Sequence, residues 1–116
     1  MRHVAPPDLS TAARALLALP APARAAEAAR LVAETEAADR YRKRVGRSHP
    51  LWGNGTLEGA ARGRPLAEPR SMSDTDYLSC LAVVLDAILK HRAKTAFGSV
   101  MGGVTAWRVT RCAHLV

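Results

Sequence analysis

Apolar positions recur along this chain at helical spacing rather than strand spacing. Leu9, Ala12, Ala13, Leu16 and Leu17 share one face of a short segment. Asp8 is a good N-cap, Pro6 and Pro7 argue against helix before it, and Leu19-Pro20 closes it. The pattern predicts an extended stretch over 1–8 and a helix from Leu9 to Ala18. Pro22 suits the first turn of a longer helix from Ala23 to Val45. Its apolar stripe is Ala28, Leu31, Val32, Thr35, Ala38 and Val45, with Tyr41 or Arg42 at the edge. Gly46 supplies the stop.

Residues 46–72 lose this periodicity and are punctuated by Gly46, Pro50, Gly53, Gly55, Gly63, Pro65 and Pro69. Gly53-Asn54-Gly55 reads as a tight turn, and Thr56 as the cap of a short helix from Leu57 to about Arg62. Leu51, Trp52 and Leu57 are expected to pin this connection onto the helices. The next helix has Ser73 as N-cap, Asp76 at the third position, and Met72 with Tyr77 at the hydrophobic staple positions. Tyr77, Leu78, Leu81, Val84, Leu85, Ile88 and Leu89 then recur at helical spacing, with Cys80 a small buried side chain among them and Gly98 the expected stop. The sum is an all-α domain over 1–97. The tail over 98–116 is rich in Gly and β-branched residues, and its one candidate strand, Val104 to Val109, has no visible partner. That tail is expected to be poorly ordered or to dock on a partner through Trp107.

Composition sharpens this picture. The hydrophobic fraction of 48% owes much to alanine, and aromatics are only 4%. Alanine favours helix but buries little area, whereas a buried Leu, Ile, Val or Phe contributes roughly 1.5–3 kcal/mol. A core this thin predicts self-association. Two distant cysteines, Cys80 and Cys112, form neither a disulfide framework nor a zinc site, and a reducing cytoplasm is the simplest setting. No run is long enough to span a membrane, and the N-terminus lacks a convincing secretory signal. His3, His49, His91 and His114 have no metal-ligand spacing, and the glycines of the connection lack the Lys-Ser/Thr ending of a phosphate loop. Neither an enzyme nor a cofactor is expected.

Charge is the remaining signal. The net charge of +7 implies attraction to polyanions. Its densest part is Arg40, Arg42, Lys43, Arg44 and Arg47, at the end of the long helix. Arg40, Lys43, Arg44 and Arg47 share a face by helical spacing, and Arg42 points elsewhere. Cations at a helix C-terminus also stabilise the helix dipole, so a cap with a solvated face would account for them equally well. As a binding stripe they would follow a phosphate backbone, with Arg62, Arg64 and Arg70 extending it. Trp52 is expected as an internal anchor of its loop or, exposed, as a contact for a partner or a base. No helix-turn-helix signature is clear.

RYRKRVGRSHPLWGNGTL (40–57) and DTDYLSCLAVVLDAIL (74–89) resemble a small alphaproteobacterial family associated with gene transfer agent clusters, ahead of the large terminase. The resemblance spans Leu9 to Lys94 and does not cover the tail. It implies a protein like a small terminase subunit: non-enzymatic, α-helical and oligomeric, binding DNA and passing it to the large terminase. The absence of an evident helix-turn-helix puts sequence-specific recognition in doubt. The alternative from composition alone is a small regulatory or scaffold protein that binds an acidic partner. A peripheral membrane role is disfavoured, because the basic helix carries alanine where Trp, Phe and Leu would be needed.

Overall fold

The computed structural model describes residues 1–100, with side chains described through Thr95. Helices α1 (Pro6–Leu17), α2 (Ala21–Val45), α3 (Leu57–Ala61) and α4 (Thr75–Val100) follow in order, and no strand occurs among the described residues. The described residues are all-α, as their periodicity predicts. Trp107, Cys112 and His114, with the expected Val104–Val109 strand, lie outside the described residues.

Helix ends differ from expectation for local reasons. Pro6 and Pro7 begin α1 rather than preclude it, since proline at the first positions lacks only an N–H with no helical partner. Asp8 is not the cap but the third residue. Its Oδ2 accepts from Ala5 N at 2.7 Å, and its Oδ1 accepts from Glu58 N at 2.9 Å. One buried carboxylate therefore meets the N-termini of α1 and α3. Helix α2 starts at Ala21 and ends at Gly46, whose φ of 82° lets its N–H reach Arg42 O at 2.7 Å. Thr56 caps α3 as expected, its Oγ1 accepting from Gly59 N at 3.1 Å. At α4 the cap is Asp74, not Ser73: Asp74 Oδ1 accepts from Asp76 N at 2.9 Å and Tyr77 N at 3.1 Å. Met72 is 64% exposed and forms no closed staple. Gly98 does not stop α4, which runs on to Val100; a single glycine costs a helix interior about 1 kcal/mol and need not end it.

The core joins Ala12, Ala13 and Leu16 of α1 with Ala28, Leu31 and Val32 of α2. Leu57, Ala60 and Ala61 of α3 and Tyr77, Cys80, Val84 and Ile88 of α4 complete it. Two expected core positions fall outside: Val45 is 46% exposed, and Leu51 74%. In α4, Leu78, Leu85 and Leu89 are exposed as well, because its apolar surface is wider than the face the other helices cover.

Polar groups between the elements complete the docking. Arg24, buried on α2, donates from Nε to Leu16 O and Leu19 O, each at 3.1 Å, and so satisfies carbonyls at the end of α1. Its Nη1 and Nη2 reach the Asp76 carboxylate at the start of α4, at 2.7 and 3.3 Å. The loop before α3 touches α2 at Gly55, which has a φ of +92° and where an added Cβ would lie 2.9 Å from the Asp39 Cα. Gly55→Ala combines a left-handed conformation with a backbone clash. It is expected to cost about 2 kcal/mol or more in urea unfolding, whereas Gly63→Ala, with no contact closer than 3.5 Å, should be far milder.

Candidate functional site

The basic cluster sits on the last turns of α2 and the exit behind Gly46. Its members are not equivalent. Asp39, 1% exposed, is the local negative charge around which they divide. Lys43 Nζ lies 3.1 Å and Arg42 Nη2 3.4 Å from its carboxylate. The Met1 amino group stands 3.1 Å from Asp39 and 2.7 Å from Glu36. Arg42 and Lys43 are thus paired with Asp39, Arg42 partly buried with its Nε enclosed and unpaired, and Lys43 still exposed. Arg40, Arg44 and Arg47 are exposed and have no carboxylate within ion-pair distance among the described residues.

The loop arginines do not extend the cluster as free cations. Arg64 is a brace: its Nε is 2.6 Å from Glu27, its Nη2 2.9 Å from Glu34, and its Nη1 donates to Ala60 O at 3.2 Å. Burial works against its charge, but the hydrogen bonds to Glu27 and Glu34 hold its pKa above the ordinary value. It lies against an earlier part of α2, turned away from solvent. Arg62 pairs with Glu58 at 3.0 Å and Arg70 with Asp74 at 2.7 Å, both at the surface. Such exposed pairs hold little energy and leave the guanidinium accessible.

Beyond Gly46 the chain closes a small turn, with His49 N to Gly53 O at 2.8 Å and Gly53 N to His49 O at 3.2 Å. His49 Nδ1 accepts from Leu51 N and Trp52 N, each at 3.1 Å, which places the ring proton on Nε2. The Trp52 ring stacks on His49 at 4.6 Å and 7°, and Tyr41 meets His49 edge-on at 4.9 Å. Trp52 is half-buried and stacks on the ring that meets Tyr41 of α2, while Leu51 projects from the tip of the turn. The turn thereby holds Arg47 next to the end of α2.

Sequence spacing missed Asp39 and Arg24, although a signal was present. Asp39 falls four residues after Thr35, and Arg24 four before Ala28, so both lie on the core phase of α2. Burial pushes the Cys80 thiol up, keeping it protonated. No cluster of metal-ligating side chains, and no helix long and apolar enough to cross a membrane, occurs among the described residues.

The fold and site define a small all-α domain with an exposed arginine cluster at the end of α2. Residues 2–88 match the family described as Domain of unknown function (DUF7742), and the chain belongs to that family. The matched span contains the whole arginine cluster and all of α1, α2 and α3. No curated protein and no solved structure matches the chain.

Acid should loosen this site. The Met1 amino group, and then His91, hold Glu36 below its usual pKa against the cost of burial. Burial raises the Asp39 pKa, but Lys43 and the amino group outweigh it, leaving Asp39 low. Both folded values lie below the unfolded ones, near about 4.3 and 3.9. Their stabilisation is present above those values and is lost as pH falls through the folded ones. The urea midpoint of the protein should therefore drop as pH falls below about 4, and Asp39→Asn should flatten that part of the profile.

Proposed function

We propose that this protein is a non-enzymatic DNA-packaging adaptor of small-terminase type. It acts as a homo-oligomer, binds the phosphate backbone through Arg40, Arg44 and Arg47, and delivers DNA to a large terminase subunit. The observation that carries the reading is the division of the arginines. Arg24 and Arg64 are spent on docking helices, whereas Arg40, Arg44 and Arg47 stand exposed without a carboxylate partner. Arginine's planar fork suits phosphate, and contacts of this kind confer affinity without base readout. The packaging context comes from the resemblance of 40–57 and 74–89 to the gene transfer agent family, and Arg42, Lys43 and Arg62 contribute at the margin of the surface.

Light scattering of the purified protein with and without duplex DNA, at low and high salt, tests the reading. The expected result is an oligomer that takes up DNA at low salt and releases it at high salt. The triple variant Arg40→Glu, Arg44→Glu, Arg47→Glu should lose DNA uptake while its circular dichroism melt stays near wild type. Undiminished uptake by that variant would contradict the assignment. A protein indifferent to DNA would point to an acidic protein as the ligand of the cluster.

A further inference from the structure

We propose that the outer face of α4 pairs with the same face of a second copy of this chain, antiparallel and about a two-fold axis. Helix α4 is apolar on two sides. Tyr77, Cys80, Val84 and Ile88 face the core of their own chain. About 120° around the helix, at 100° per residue, lies a second line of Leu78, Ala82, Leu85 and Leu89. There Leu78 is 42%, Leu85 46% and Leu89 65% exposed. Ala82 is exposed between them and Leu81 half-buried at their edge. This is a seam of helix-packing length with no partner among the described residues.

An apolar groove of about 570 Å³ runs along one side of the seam, lined by Pro6, Pro7 and Leu9 of α1 and by Tyr77, Leu81 and Leu85 of α4. Leucine side chains of a partner helix would fill it. Pattern and charge together select a second α4 as that partner, in one direction. Centring a two-fold axis near residue 83 sets Leu81 opposite Leu85 of the other copy and Leu78 opposite its Leu89. The same register brings Asp74 opposite Arg92. These two residues lie on the same flank of the seam by helical phase, and in an antiparallel pair same-side flanks meet. Asp74 sits at the acidic start of α4, with Asp76, and Arg92 in its basic later part, with Lys90 and Lys94. Arg92 has no carboxylate within ion-pair distance among the described residues, and Asp74 is held charged by Arg70, its pKa lowered. A parallel pair would instead hold Asp74 and the partner's Arg92 at opposite ends of the helices and lose this pairing.

The inference deepens the oligomer part of the reading above and makes no use of DNA. Sedimentation of the full chain should give a dimer or a multiple of it, and Leu85→Asp should raise the dissociation constant about a hundredfold while leaving the helical spectrum intact. Orientation is read independently of that variant by cross-linking in a Cys112→Ser background, where Cys80 is buried. Ala82→Cys lies beside the axis and should join two chains through a short bismaleimide. Leu89→Cys should not, since its copies would stand about 18 Å apart along the helices at 1.5 Å per residue. Cross-linking at Leu89→Cys as efficient as at Ala82→Cys would overturn the antiparallel pairing while sparing the oligomer. A monomer throughout the micromolar range would overturn both; neither result would bear on DNA uptake by the arginine cluster.

Discussion

The helices of this protein meet through small side chains, so their relative placement depends on charges held between them. Among the described residues Leu16, Leu31, Leu57 and Val84 are the large aliphatic side chains buried completely, and many of their neighbours are alanines. Alanine surfaces bring helices close but do little to fix their register. Arg24 fixes α1, α2 and α4 at one end by joining the carbonyls of Leu16 and Leu19 to Asp76. Asp8 fixes the start of α1 against α3, and Arg64 ties the segment after α3 to Glu27 and Glu34 on α2. Removing the partner of a group as enclosed as Arg24 or Arg64 would leave its charge uncompensated between the helices. These groups are therefore constraints on the fold, and they are unavailable to a ligand.

That constraint decides what the surface can do. The chain is strongly basic, but part of that charge is directed inward. Asp39 pairs with Arg42 and Lys43. What remains exposed without a carboxylate partner among the described residues at the end of α2 is Arg40, Arg44 and Arg47, with the His49–Trp52 stack holding the following turn in place. The exposed stripe on α4 is a separate surface. One is charged and suits a polyanion; the other is apolar and suits a second helix.

Much of the fold was legible in the sequence because helical spacing is a local property. The stripe from Ala28 to Ala38, the Thr56 cap and the Gly46 stop all follow from residues within a turn or two of each other. The errors arose where the answer was tertiary. Asp8 looks like an N-cap until Glu58 is seen beside it, and Arg64 looks like a free cation until Glu27 and Glu34 close on it. Leu78, Leu85 and Leu89 carry the same periodic signal as Val84 and Ile88. Which side of α4 is covered depends on where α1 and α2 pack, and that is not written in the helix itself. For the candidate site, sequence located the cluster at the end of α2 but not its sorting, which Asp39 controls from inside.

The role proposed for Arg40, Arg44 and Arg47 is to bind phosphate. The most direct test is the salt dependence of wild-type binding to a random-sequence duplex, followed by fluorescence anisotropy. Three phosphate contacts per protomer predict that log K falls with log salt at a slope of about −2.7, or a multiple of it for an oligomer. A slope near zero, or no binding at the lowest salt, would contradict the account.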